Sequence, residues 1–202
     1  MLLSLTPLEL PSQLLQTIVV TVALGSAVTG IPKPQDRPEN LIVRRAVAAS
    51  RQSNPDWRFI SAVVNVPPLM VEQLGVAGGL WERLSDSSTR VNVTVYTVAT
   101  SEAAASWLYR QAHGEVGKGW TVVPYEAGDG ANLSTYPDPR GFTQYATAIR
   151  KGRFLLMASG RSKEIVDRFA QILLAAASEE LSSIAAYQAE RQRHASITRP
   201  LR

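Results

Sequence analysis

The sequence predicts an α+β domain in which a mixed or antiparallel sheet of about five strands carries its helices on one face. Three observations support this class. Strand-like runs cluster along the chain, and only two connections between them have the length and apolar periodicity of a helical crossover. In addition, 45% of the 202 residues are hydrophobic and 19% are charged, which is sufficient for a buried core.

The first part of the domain contains one predicted helix and one predicted strand. Residues 38–52 (PENLIVRRAVAASRQ) are amphipathic and begin with proline, which is favoured in the first helical turn. Residues 59–66 (FISAVVNV) are rich in β-branched side chains and predict a strand. The sequence next predicts a helical turn at 69–74 and a flexible break at 75–79 (GVAGG).

The middle of the chain is more regular. Valine alternates through residues 90–99 (RVNVTVYTVA), which predicts a strand. Thr100 or Ser101 is expected to cap the helix that follows, because a hydroxyl oxygen accepts a hydrogen bond from a free N–H group of the first turn. Residues 119–126 predict another strand, which Pro124 confines to an edge of the sheet.

The last elements are a hairpin and a long helix. Residues 142–149 and 153–159 predict two strands joined by the turn sequence Arg150-Lys151-Gly152. Ser162 then caps a helix whose apolar stripe runs well into the C-terminal part of the chain.

The N-terminal segment is apolar. Residues 12–30 contain no charged side chain and predict either a signal peptide, with small residues at its end for cleavage, or a retained membrane anchor. A helix buried in the core or against a partner is the third alternative. No Lys or Arg precedes the segment, so a typical signal-peptide charge is missing, and the basic residues that follow it would by themselves favour a cytoplasmic domain.

The predicted organisation therefore has four parts. Residues 1–30 are a signal peptide or membrane-anchor segment, and residues 31–37, with three prolines in the IPKPQDRP stretch, are a linker. Residues 38–178 form the α+β domain. Residues 179–202 form a protruding C-terminal helix and a basic tail.

Composition excludes several classes of site. The chain has no cysteine, so it has no disulfide, thiolate zinc site, iron–sulfur cluster or cysteine nucleophile. Its two histidines lie at no recognisable catalytic or metal-binding spacing, and no phosphate-loop, dinucleotide or hydrolase motif occurs. We therefore expect no enzyme activity, no metal and no cofactor. The net charge of +4 does not by itself identify a partner.

The stretch from Tyr125 to Phe142 (YEAGDGANLSTYPDPRGF) is the predicted binding loop. Turn chemistry explains most of its composition, but its length and aromatic content leave room for a contact with a ligand or partner. The alternative is that the aromatic rings only hold a long loop against the edge of the sheet. The residues assigned to this contact are Tyr125, Asp129, Tyr136, Asp138, Arg140, Phe142 and Tyr145. In a competing hypothesis, Glu126, Asp129 and Asp138 converge in one pocket and serve a small hydrolase.

Two further segments are candidates. Residues 159–163 (SGRSK) join a strand to a helix N-terminus and could hold a phosphate or carboxylate, although a capped helix start with solvated charges is the interpretation that we favour. The C-terminal segment is expected to contact a partner or an anionic surface, or else to be a solvated tail. Its candidate residues are Tyr187, Arg191, Arg193, Arg199 and Arg202. Nucleic acid is not expected, because the basic residues are not interleaved with aromatic ones.

The order of these elements resembles a loose group of bacterial cell-envelope α+β domains, of the kind found in secreted proteins, lipoproteins and sensor ectodomains. The resemblance covers residues 88–178 and rests on strand–Ser/Glu–helix, then GDGAN, then IRKGRFLLMASG followed by a helix. It implies an extracytoplasmic binding or scaffold domain without catalytic residues. The chain departs from lipidated members because it has no lipobox cysteine.

Taken together, the sequence predicts a non-enzymatic binding or accessory domain of the periplasm or cell envelope that acts through protein–protein contacts, with membrane association as a further expectation. The first alternative is a subunit of a membrane protein complex, retained by residues 12–30. The second is the small hydrolase with loop carboxylates.

Overall fold

The computed structural model describes residues 36–60, 72–115 and 119–197, which form three helices and seven strands. The helices are α1 (Pro38–Ser53), α2 (Ser101–Ala112) and α3 (Lys163–Ile197). The strands are β1 (Trp57–Ile60), β2 (Gln73–Arg83), β3 (Arg90–Val98), β4 (Thr121–Tyr125), β5 (Gly130–Pro137), β6 (Thr143–Lys151) and β7 (Phe154–Gly160).

The strands form one sheet in the order β1-β2-β3-β7-β6-β5-β4, and every neighbouring pair is antiparallel. The α+β class and the long C-terminal helix are confirmed. The strand that contains Pro124 lies at an edge, as predicted, and Thr100 caps α2 by accepting from the N–H of Ala103. The predicted number of strands is wrong, because β2 and β5 cross segments that the sequence predicted as irregular.

β2 runs through the glycine-rich stretch that was predicted as a flexible break. Gly75, Gly78 and Gly79 lie inside the strand, where other groups approach the backbone closely. A Cβ on Gly79 would overlap the ring of Phe59, and one on Gly75 would overlap the carboxylate of Glu39. These glycines make room for packed neighbours, and the local sequence does not distinguish that role from a loop.

β5 lies in the middle of the stretch predicted as one long loop. It pairs with β4 on one side and β6 on the other, so residues 125–142 are two turns with a strand between them. The strand is hard to recognise because one of its faces is polar. Asn132 and Ser134 are nevertheless buried, since they lie beneath α2.

Helices cover both faces of the sheet, which corrects the prediction of a single covered face. α1 and α3 pack on one face, over a core that includes Trp57, Trp81 and Phe169. α2 packs on the other face, where Trp107 meets Tyr96 and neighbouring apolar side chains. Successive side chains of a strand point to opposite faces, so a sheet with helices on both faces needs apolar residues at odd and even positions of its strands. β3 and β7 have buried apolar residues at both.

A buried amide network attaches α2 to β5. The Asn132 amide donates to the carbonyl oxygen of Leu108 at 2.9 Å and to Gln111 Oε1 at 3.2 Å, and the Gln111 amide donates to Ser134 Oγ at 3.3 Å. Because these polar groups are buried, their mutual hydrogen bonds fix the position of the helix over the strand.

The two ends of the sheet differ in character. We call the end where β3 begins and β7 terminates the arginine end, and the end with the β6–β7 turn the far end. α3 starts at the arginine end and reaches the far end at Leu181, which packs over Gly152 of that turn. α1 runs the opposite way: Asn54 contacts Arg168 near the arginine end, and the helix begins at the far end.

Beyond Leu181, α3 continues without a break. Residues 182–190 are exposed except for Ile184, which is partly buried, and the Tyr187 side chain is 62% exposed. This part of α3 therefore extends past the sheet. Arg191 and Arg193 lie on the helix, but their side chains are not described.

Several predictions fall outside the described residues. These are the apolar segment 12–30, most of the linker, the continuation of the first strand through 61–66, and Arg199 and Arg202. Within residues 36–60, 72–115 and 119–197, no helix is both long and apolar enough to cross a bilayer.

The contact between Gly75 and Glu39 gives a test of the packing of α1 on β2. We expect Gly75→Ala to lower the free energy of unfolding by about 1–3 kcal/mol, because its methyl group overlaps the buried carboxylate. In a Glu39→Ala background the same substitution should cost less by about 1 kcal/mol or more. Urea denaturation of the four proteins measures this coupling. Glu102→Ala, which removes an exposed acid on α2, provides the control background. If Gly75→Ala lowers the free energy of unfolding by the same amount in the Glu39→Ala background as in the wild type, the packing described is contradicted.

Candidate anion-binding site

The structure divides the predicted loop residues between the two ends of β5. Tyr125 lies at the end of β4, pairs with Ala131 and packs against the core, and Asp129 lies in the turn that follows. Tyr136, Asp138, Arg140, Phe142 and Tyr145 lie together at the arginine end, around the connection from β5 to β6. The predicted contact set is therefore not one surface.

Asp129 has a structural role at the far end. Its carboxylate accepts from the backbone N–H of Gly152 at 2.7 Å and from Lys151 Nζ at 3.1 Å, so it joins the β4–β5 turn to the β6–β7 turn. The hydrogen bond from Gly152 lowers the pKa of Asp129 below its ordinary value, and Lys151 adds to this shift.

Asp138 has a corresponding role at the arginine end. Its carboxylate accepts from the backbone N–H of Arg140 at 2.8 Å, from the guanidinium of the same residue at 3.1 and 3.2 Å, and from the Gln144 amide at 3.1 Å. The Arg140 guanidinium is the main cause of a pKa of Asp138 well below its ordinary value. Gly141, with a φ of +83°, closes the turn.

Aromatic rings support the same end. Tyr136 stacks on Trp120 with their centroids 4.8 Å apart, and burial raises the pKa of the Tyr136 hydroxyl. Phe142 is 48% exposed and lies beneath Arg161, whose guanidinium carbon is 4.1 Å from the ring centroid. Stacking of this kind holds a guanidinium in place while its N–H groups stay available at the edge. Tyr145 packs against the core instead.

A second carboxylate organises the neighbouring strands. Glu82, at the end of β2, has a side chain that is only 4% exposed and accepts from Arg58 at 2.5 and 2.9 Å and from Arg90 at 2.8 and 3.1 Å. The Arg58 hydrogen bonds are the largest cause of a lowered pKa of Glu82. One buried carboxylate is thus shared by two guanidinium groups, which come from the two strands that flank β2.

Three of the arginines at this end line a cavity of about 430 Å³. It is lined by Ser87, Ser88, Arg90, Asn92, Arg140, Gln144, Gly160 and Arg161. A smaller cavity of about 190 Å³ shares Ser88, Arg90 and Arg161 with it and extends to Ser162 at the start of α3. The lining contains three guanidinium groups and no carboxylate, so the arrangement suits an anion.

Sequence reasoning identified part of this site. It nominated Arg140 and Phe142, and it noted the SGRSK segment that contains Arg161, although there the interpretation of solvated charges was favoured. It missed Arg90, because a basic residue at the start of a strand is common, and Ser88 and Asn92, which carry no local motif. Only the pairing of β3 with β7 and of β7 with β6 brings these segments together.

The acids proposed for a hydrolase do not share a pocket. β5 is eight residues long and lies between Asp129 and Asp138, and at about 3.3 Å per residue this separates the two turns by roughly 25 Å. Glu126 is exposed near the Asp129 turn. Among the described residues, no group of three or more His, Asp or Glu side chains is placed to hold a metal ion.

Comparison with known proteins gives little further information. No protein-family model matches this chain, and no curated protein matches it. A solved structure with partial similarity is the extracellular domain of PknH from Mycobacterium tuberculosis, with 11% sequence identity and a TM-score of 0.42. The alignment covers 55% of this chain and 69% of that one. This similarity is too weak to support an inference about function, which therefore rests on the geometry of the site.

The role of Asp138 predicts a pH-dependent stability. A carboxylate with a lowered pKa stabilises the fold above its unfolded pKa of about 4, and this contribution is lost as the pH falls through the folded-state pKa. We expect Asp138→Asn to lower the Tm at pH 7. The difference in Tm between this variant and the wild type should become smaller below about pH 4. Thermal unfolding between pH 7 and pH 2 measures this.

Glu102→Gln, which alters an exposed acid on α2, is the control and should change the Tm little. A difference between Asp138→Asn and wild type that stays constant down to pH 2 would show that the carboxylate has no such role.

Proposed function

We propose that this protein is a non-enzymatic, extracytoplasmic binding domain that contacts a partner protein through the arginine end of its sheet. The observation that carries the proposal is the surplus of guanidinium groups around the open cavity. Arg58 and Arg90 share Glu82, Arg140 has Asp138, and Arg161 has no acceptor among the described residues. Three of these guanidinium groups, those of Arg90, Arg140 and Arg161, line the cavity, and its lining contains no carboxylate.

The construction of this surface favours recognition. Its guanidinium groups come from β1, β3, the β5–β6 turn and the segment after β7, so they converge only in the folded domain. Arginine is enriched at the centres of protein interfaces, where its planar group binds carboxylates and stacks on aromatic rings. The exposed Phe142 ring beneath Arg161 adds apolar area to the same surface.

The acids of the loop support a binding role over hydrolysis. Asp129 and Asp138 both have lowered pKa values and accept hydrogen bonds that close turns. A general acid needs a raised pKa near the working pH, together with a reacting partner in the same pocket. Neither Asp129 nor Asp138 has a raised pKa or such a partner among the described residues.

Two helix ends lie away from the arginine end of the sheet. α1 begins at the far end of the sheet, and α3 extends past the sheet at the same far end. Neither of these helix ends covers the arginine end, which stays open to a partner.

The exposed part of α3 favours a second candidate, the subunit of a membrane complex. Residues 182–190 project beside the start of α1 and expose Tyr187. In that case residues 12–30 are retained, and the projecting helix contacts a neighbouring subunit while the arginine end has another role or none.

Site-specific photocrosslinking in the native host separates the two candidates. A photoreactive amino acid at Ser88 in the arginine end should crosslink the same partner protein in repeated preparations, identified by mass spectrometry. The crosslink should be lost when Arg161→Glu is added, because this reverses the charge beside the probe. A probe at Ser106, an exposed position on α2, is the matched control.

Crosslinks from a probe at Ser182 on the exposed part of α3, with none from Ser88, would favour the membrane-complex candidate. Equal crosslinking from Ser88 and Ser106 would contradict a specific binding surface at the arginine end.

The location is tested by intact mass. We expect the protein purified from the native host to be recovered outside the cytoplasm, and, if the N-terminal segment is a signal peptide, to lack about 27–30 residues. A full-length mass in the membrane fraction would indicate the retained anchor. A full-length product in the cytoplasmic fraction would show that the extracytoplasmic assignment is wrong.

A further inference from the structure

We propose that the arginine cavity binds a phosphate group, either free phosphate or the phosphate monoester of a small molecule. The inference rests on the proposed function, because it assigns a ligand chemistry to the arginine end as the binding surface. It adds a small-molecule site within the surface that the partner contacts.

The first argument is the donor character of the cavity wall. Apart from Gly160, the lining residues are serine, asparagine, glutamine and arginine, and each of their side chains carries an O–H or N–H donor. The Ser88 hydroxyl already donates to Asp86 and the Gln144 amide to Asp138, so the donors offered to a ligand come mainly from Ser87, Asn92 and the arginines. A phosphate has acceptor oxygens pointing in four directions, so it can use donors from several walls at once. A carboxylate has two oxygens in one plane and would leave part of this wall without an acceptor.

The second argument is the set of N–H groups that remain available. Arg90 uses Nε and Nη2 for Glu82 and Ser87, and Arg140 uses Nε and Nη2 for Asp138. Nη1 of both residues has no acceptor among the described groups. The Arg161 guanidinium likewise has no acceptor among them. Three separate guanidinium groups therefore offer charged donors to a ligand.

The third argument is preorganisation. The buried carboxylates of Glu82 and Asp138, whose side chains are 4% and 9% exposed, hold Arg90 and Arg140, while Phe142 supports Arg161. Side chains that are already ordered lose less conformational entropy on binding, so more of the interaction energy is available as affinity. Both carboxylates already accept from guanidinium groups, which limits their repulsion of an anion.

The fourth argument is size. A cavity of about 430 Å³ exceeds the volume of a single phosphate, so it has room for the group that carries the phosphate. The adjoining cavity that extends to Ser162 continues the same donor-rich wall. This geometry favours a phosphate monoester over free phosphate, and the two sources are separated by experiment.

The test is a calorimetric and NMR titration of the full chain at constant ionic strength, with inorganic phosphate, glycerol phosphate and acetate as probes. We expect saturable binding of a phosphate probe, at least about tenfold tighter than acetate. Tighter binding of glycerol phosphate would identify a monoester as the ligand, and equal or tighter binding of inorganic phosphate would identify free phosphate.

Three variants locate the site. Arg161→Gln should weaken phosphate binding by about tenfold or more, as expected for loss of a charge-assisted hydrogen bond, and Asn92→Ala should weaken it less. Arg153→Gln removes the same charge at the far end and should leave affinity unchanged. The Tm of each variant verifies folding, and Arg161 is suitable because the only described contact of its guanidinium is with Phe142.

Absence of saturable phosphate binding, or equal weakening by Arg161→Gln and Arg153→Gln, would overturn the proposal. Acetate binding as tight as phosphate would also overturn it. If phosphate fails to bind while Ser88 still crosslinks a partner in an Arg161-dependent manner, the phosphate site is wrong and the binding domain stands. If phosphate binds and no partner is crosslinked, the partner contact is wrong and the anion site stands.

Discussion

Trp81 connects the elements on which the rest of this domain depends. Its indole is fully buried, lies 4.9 Å from the Phe169 ring of α3 and 4.8 Å from the Phe59 ring of β1, and donates a hydrogen bond to Ser50 of α1 at 2.9 Å. Burial of one large aromatic side chain contributes on the order of a few kcal/mol. Because α3 follows directly after β7, its packing on Trp81 also sets where Arg161 leaves the sheet.

Carboxylates at the two ends of the sheet have different consequences for the surface. At the far end, Asp129 joins two turns and is matched by Lys151 and by a backbone N–H. At the arginine end, the two carboxylates of Glu82 and Asp138 hold three guanidinium groups in place, so one positive charge is not neutralised by them. The same acids that stabilise this end thus leave it positively charged, so stability and anion attraction arise from one set of contacts.

The sequence predicted the site only in part, and the reason is the geometry of β5. Residues close in sequence within the 125–142 stretch are placed at opposite ends of a strand, so Tyr125 and Asp129 are separated from Arg140 and Phe142. Residues far apart in sequence, such as Arg90 and Arg161, become neighbours because β3 pairs with β7. A spacing rule finds residues on one element, and it has no means of finding those that pairing brings together.

What the sequence determined by itself is local in origin. The amphipathic period of α1 and α3, the valine alternation of β3, the cap at Thr100 and the edge position of the strand with Pro124 all follow from backbone geometry and nearest neighbours. The tertiary structure alone decided that the glycines of β2 belong to a strand, that the polar face of β5 is buried, and that three arginines surround one cavity. Each of these depends on side chains from distant segments: Glu39 and Phe59 fill the space over the glycines, and the amides of α2 satisfy the buried groups of β5.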